Sequence, residues 1–220
     1  MARTSPVSPA GSRVLPVAPP LEPLLPGGLR RGSIVAVEGA TSLALAVLAG
    51  PSAAGSWCAA VGLPSLGLVA AAELGMALER LALVASPGTG DGWATVVAAL
   101  VDAMDVVLVR PPTHLRPGDA RRLVARARER GAVLVAAGRW GERADVRLRV
   151  TARVWEGLGE GHGRLRARRV DVVAEGRGAA ARPRLRSLWL PGPGGGLAEV
   201  AGAEPRSGRP PEAGREQVAG

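Results

Sequence analysis

Few side chains in this sequence are equipped for covalent or acid–base chemistry, and their spacing does not assemble them. The one cysteine, Cys58, sits between Trp57 and Ala59 in an apolar run, where a thiol acts as a small buried hydrophobe before it acts as a nucleophile. His114 follows Pro111-Pro112-Thr113, and His162 lies in a glycine-rich turn. Neither has a cysteine or a second histidine at ligand spacing, so both read as loop residues and no metal site is expected. No Ser-His-Asp arrangement can be read, and no catalytic residue is assigned. What remains is a turn, Gly39-Ala40-Thr41-Ser42, which closes one apolar run and opens an Ala/Leu-rich one. A phosphate loop in this position would cradle phosphates with its amides, neutralise them with a lysine and hold magnesium with a hydroxyl. Here the loop is collapsed. With Gly39 as its last glycine the lysine position is Ala40, and the chain has no lysine anywhere, its 28 basic residues being arginine. A stray anion on the amides of Thr41 and Ser42 is the most this turn offers, and no cofactor is expected.

The arginines are the second chemical feature. Five precede residue 110 (Arg3, Arg13, Arg30, Arg31, Arg80) and the rest lie from Arg110 onward. A net charge of +9 concentrated in the second half suits a polyanion or an acidic protein face, with a plain solvated surface as the alternative. In the run Asp119–Arg130 the spacing of four puts Arg122, Arg126 and Arg130 on one helix face. Together with Arg147, Arg149, Arg153, Arg164, Arg166, Arg168 and Arg169 they are expected to form a continuous positive surface that meets DNA phosphates or a protein partner. With five Trp and no Phe or Tyr, stacking residues are scarce, which favours a protein interface over base stacking.

The elements that must position these groups follow from periodicity. Short β-branched runs alternate with longer Ala/Leu-rich ones, the pattern of βαβ units around a largely parallel sheet. Strands are expected at 33–38, 57–61, 81–84, 105–109 and 132–136, and helices at 41–50, 65–77, 92–103 and 117–130. After Trp140 the pattern changes to alternation: Val146, Leu148, Val150, Ala152 and Val154 face one way and Arg147, Arg149 and Arg153 the other. With runs at 164–173 and 184–190 this predicts a C-terminal antiparallel extension. One folded unit is expected over residues 27–190, with Trp57 in its core, between a disordered Pro-rich leader (1–26) and a disordered Gly/Pro-rich tail (191–220). No apolar run reaches the ~18 to 20 residues of a membrane span, and the leader does not read as a signal peptide, so a cytoplasmic protein is expected.

Several stretches resemble the RecA recombinases. Leu29-Arg30-Arg31-Gly32-Ser33-Ile34-Val35-Ala36-Val37-Glu38-Gly39 is similar to their entry strand, the stretch from Trp57 through Glu73-Leu74-Gly75-Met76 to Val84 to the next two strands and the helix between, and Asp105–Val109 to the magnesium-site strand. The likeness implies a RecA-like core of the P-loop NTPase class, with three departures where chemistry would occur. Ala40 stands at the lysine position, Arg110 replaces the acid that would hold magnesium, and Gly62-Leu63-Pro64 replaces the glutamate that would activate water. Over residues 24–190 the chain is more closely similar to the actinobacterial ImuA-type proteins, through Gly39–Leu45, Gly55-Ser56-Trp57-Cys58, Val107–Pro112 and Trp155–Gly163. That resemblance implies a degenerate ATPase acting as an accessory of translesion synthesis in the SOS response, close to the nucleoid. Its implied partners are an ImuB-like protein and an error-prone C-family DNA polymerase. A RecA-type DNA-binding protein of recombination or repair is the alternative.

Overall fold

The computed structural model describes residues 13–141, 143–158, 163–177 and 181–200. A short strand, β1 (Val14–Leu15), pairs antiparallel with β2 (Leu29–Arg30). Then β3 (Ile34–Glu38) leads into helix α1 (Thr41–Ala53), β4 (Cys58–Val61) into α2 (Leu68–Glu73), and β5 (Leu81–Val84) into α3 (Asp91–Ala103). The strands β6 (Val106–Val109) and β7 (Val133–Ala137) flank helix α4 (Pro117–Arg130), and β8 (Val146–Leu158), β9 (Gly163–Gly176), β10 (Arg184–Trp189) and β11 (Ala198–Glu199) follow.

Apart from the β1–β2 pair, the strands form one mixed sheet in the order β11-β10-β9-β8-β3-β7-β6-β4-β5. From β8 through β5 the pairings are parallel, and β9, β10 and β11 add on antiparallel. This is the α/β architecture with a mainly parallel sheet and an antiparallel extension that the alternation of runs predicts. Alternate residues of each central strand point to opposite faces, and both faces are covered. Val35, Val37, Leu108 and Val135 pack with Leu43 and Leu48 of α1 on one side. Ile34, Ala36, Val107 and Leu134 pack with Val97 and Val101 of α3 and Leu123 of α4 on the other.

Three expectations need correction. First, residues 13–26 are structured and are not a disordered leader. Leu15, Leu21, Leu24 and Leu25 are buried and belong to the core on the α1 side. Their prolines mask this: Pro19 and Pro20 open a single 3-10 turn, Pro19–Leu21, in which a fixed φ is suitable, and the leucines around it supply the apolar area. Gly50 of α1 makes room, since a Cβ there would lie 2.5–2.6 Å from the backbone of Val17 and Ala18. Residues 1–12 lie outside the described ones. Second, the C-terminal stretch is ordered to residue 200, where β11 pairs with β10; residues 201–220 lie outside the described ones. Third, helix α2 is shorter than the run 65–77, because Gly75 takes a left-handed φ of 87° and stops it.

Strand β8 also departs from simple alternation. A bulge between Val150 and Ala152 inserts Thr151 as an extra residue and reverses the faces beyond it. Val146, Leu148 and Val150 therefore stay on the α1 side, while Val154 turns to solvent, 49% exposed. Arg153, opposite the buried Val170, turns to the α1 side. Among the described residues no helix is long and apolar enough to cross a membrane.

Candidate functional site

The turn between β3 and α1 is built where three parts of the chain converge. Gly39 has a φ of 93° and would place a Cβ 3.0 Å from that of Val150, so glycine is required on both counts. Helix α1 then starts at Thr41 with no side-chain cap at Ala40 and no acid in its first turn. Such an end carries partial positive charge, yet two guanidiniums approach it. Arg110, at the end of β6, donates from Nη2 to Thr41 Oγ1 at 3.2 Å. β7 alone separates β3 from β6, so the carboxyl end of β6 reaches the turn. Arg168 of β9 donates to Ser42 Oγ and, through Nε, to the Leu190 carbonyl at 2.7 Å. Its guanidinium also lies 5.1 Å over the ring of Trp155. Burial, and then the like charge of Arg153, lower its pKa, though an arginine keeps its proton in proteins.

Among the described residues, the opening of α1 carries two hydroxyls, each accepting from an arginine, with no general base or carboxylate bonded to them. Glu38, the nearest acid in sequence, is engaged elsewhere, 3.3 Å from Arg147. Arginine is a fixed cation with a planar donor fork, suited to holding the turn and unsuited to moving a proton.

Several of the remaining arginines expected on a positive surface are engaged by acids. Arg126 and Arg130 both donate to Asp102 of α3, at 2.6 and 3.1 Å, and Arg122 lies 3.8 Å from Asp119. Arg147 faces Glu38 and Arg149 faces Glu175 at 2.8 Å. Arg166 is exposed, Arg169 pairs across to Trp189 of β10, and Arg153 is turned away from Arg149 by the bulge. The side chain of Arg164 falls outside the described residues, as does His162. Helix packing explains the first pair, since α3 lies against α4 and brings a carboxylate to the face that spacing alone made look free.

Those guanidiniums hold the Asp102 carboxyl below its ordinary value of 3.8, the hydrogen bond from Arg126 first. A depressed folded-state value contributes stability that is fully present above the ordinary range and is lost as pH falls through it. Melting temperature measured from pH 6 down to pH 2.5 should therefore fall less steeply for Asp102→Asn than for the parent chain. Equal slopes would mean that the ion pairs contribute nothing.

Two further residues depart from what periodicity predicts. Trp57, expected in the core, is 48% exposed and lies 5.6 Å from the guanidinium of Arg80. Its neighbour Cys58 is buried as expected, with its pKa pushed up to about 12 by burial first and by Asp105 second. Periodicity marks Asp105 as no more than the start of a strand. Its carboxylate accepts from the Trp57 N–H at 3.0 Å and meets Arg31 at 2.9 Å, joining β6 to β4 and to the segment before β3. An acid directly before an apolar strand was the signal in the sequence.

Residues 23–142 match the family described as the MT3502 N-terminal domain, more than half of the chain. The chain belongs to that family. The MT3502 span takes in the Gly39–Ser42 turn, Arg110 and α4, and ends before β8, so Arg168 and the antiparallel extension lie beyond it. A relative from Mycobacterium tuberculosis, the uncharacterized protein Rv3395c, is 42% identical over 139 residues, covering 61% of this chain and 64% of the relative. The match thus spans less than two thirds of the relative's own length.

Proposed function

We propose that this MT3502-family protein is a non-catalytic, RecA-like accessory of DNA-damage-induced translesion synthesis. In this reading it acts in the cytoplasm at the nucleoid and captures an ImuB-like protein and an error-prone C-family polymerase. The observation that carries the non-catalytic part is the bond from Arg110 to Thr41. In an ATPase with a phosphate loop the corresponding hydroxyl and an acid on a neighbouring strand hold magnesium together. Here a guanidinium supplies the positive charge at that point, and the chain has no lysine for the phosphates. The strand-turn-helix order from β3 to α1, and the arrival of β6 beside it, support a P-loop NTPase type of core. The role in translesion synthesis rests on the likeness to the ImuA-type proteins.

Two measurements test the two parts. Calorimetric titration with ATP and magnesium is expected to show no specific heat, and a clean micromolar isotherm would refute the loss of the site. A nuclease-treated pull-down from DNA-damaged cells is expected to recover translesion polymerase components. Recovery of none would favour the alternative of a RecA-type DNA-binding protein.

A further inference from the structure

A cavity lies at the opposite end of the sheet from the Gly39–Ser42 turn. It encloses about 840 Å³ where β3 and β8 begin, between the segment around β1 and β2 and the end of α4. A second hollow of about 300 Å³ adjoins it and shares Arg128 and Arg177. The floor of the larger one is apolar, with Leu25, Leu29, Val35 and Val146, and the rim is basic. Arg13, Arg30, Arg31, Arg128 and Arg177 line the first hollow, and Arg121 and Arg143 extend the second.

Among the described residues Asp145 is the one acid in either lining, and it is already committed. Its carboxylate accepts from the Ile34 N–H at 2.9 Å and lies 3.9 Å from Arg128, while Arg31 meets Asp105. Arg13, Arg30, Arg121, Arg143 and Arg177 are exposed. The seven arginines outnumber the two acids that meet them, and this excess of like charge around one trough lowers its energy by taking up an anion. This contrasts with α4's opposite face, where Asp102 pairs with both Arg126 and Arg130.

We infer that this trough binds the phosphate backbone of a nucleic-acid strand. Among the described residues the linings hold no aromatic residue and no amide side chain, so bases would be neither stacked nor read at their edges. The arginine forks suit phosphate oxygens. A run of cations along two joined hollows matches phosphates repeated along a strand better than one compact phosphate group. The inference does not depend on capture of polymerase components, and failure of one leaves the other standing.

The test is fluorescence anisotropy of the full chain with a mixed-sequence single-stranded oligonucleotide and its duplex, from 50 to 200 mM salt. Arg30→Glu/Arg143→Glu/Arg177→Glu is compared with an equal charge change on the extension, Arg149→Glu/Arg153→Glu/Arg166→Glu. The trough variant should bind at least about tenfold more weakly, with its salt slope reduced by about 2 to 3. The extension variant should stay within about twofold of the parent. The milder Arg30→Gln/Arg143→Gln/Arg177→Gln keeps the comparison valid should reversal impair folding, and should give a smaller loss in the same direction. Absence of binding by the parent chain at low salt overturns the inference, as does equal weakening by both triple changes. Titration of ATP and of inorganic pyrophosphate forms the last arm. If these bind more tightly than the oligonucleotide and only their binding is lost in the trough variant, the occupant is a free phosphate compound and the nucleic-acid assignment falls.

Discussion

Gly50→Ala is expected to destabilise the domain by about 1 to 3 kcal/mol, although in an exposed helix interior the same change stabilises by about 1 kcal/mol. The sign is set by steric contact. A Cβ at this position meets Val17 and Ala18 backbone atoms at 2.5–2.6 Å, closer than a carbon can approach, and backbone cannot rotate away as a side-chain end can. The N-terminal segment must lift from α1, and with it the buried Leu15, Leu21, Leu24 and Leu25. Leu24→Ala, at a fully buried position, should cost about 2 to 5 kcal/mol through lost transfer energy and the cavity left behind. Because both changes act through one interface, the double variant should lose less than the sum. Urea midpoints decide the matter, and a Gly50→Ala chain more stable than the parent would show that the segment does not lie against α1 in solution.

Removing the Arg168 guanidinium should have the second largest effect. It satisfies the carbonyl of Leu190, a residue only 2% exposed, reaches Ser42 on α1 and covers Trp155. Hydrogen bonds from a charged group are worth about 1.5 to 3 kcal/mol net, so Arg168→Ala should lose about that much. The loss should appear as faster hydrogen exchange in β9 and β10, with the parallel strands little changed. Arg168→Lys keeps the charge but not the fork, and should recover only part. Full recovery by lysine would show that charge alone matters there and that the bridging geometry does not.

The parallel half of the fold was legible because its signal is local. Apolar runs such as Val106–Val109 and Val133–Ala137 are buried throughout or nearly so, and a strand covered on both faces leaves that mark in composition. The Pro-rich start is not legible as core because proline density imitates a disordered linker, while the decisive contact, Gly50 against Val17, joins residues remote in sequence. The bulge at Thr151 was invisible for a related reason: alternation is a rule about paired strands, and the partner strand β9 determines where it slips. In the candidate site, the missing lysine could be counted and Arg110 could be placed at the end of its strand. That Arg110 bonds to Thr41, and that Arg168 arrives from the extension, depends on strand order, which periodicity does not encode. The α4 arginines show the converse: the helix face was right, but the carboxylate that occupies it comes from α3.

The position of β3 in the sheet also sets the order in which the chain can fold. Ile34 pairs with Leu134 and Val35 with Val146, so the central strand has no sheet neighbour until much of the chain behind it has been synthesised. By contrast, β8 and β9 pair with each other soon after they emerge, since a local hairpin closes far faster than a long loop. Emerging from the ribosome, the apolar run Ile34–Val37 must wait unpaired beside α1, and it is during this interval that the nascent chain is most exposed to aggregation.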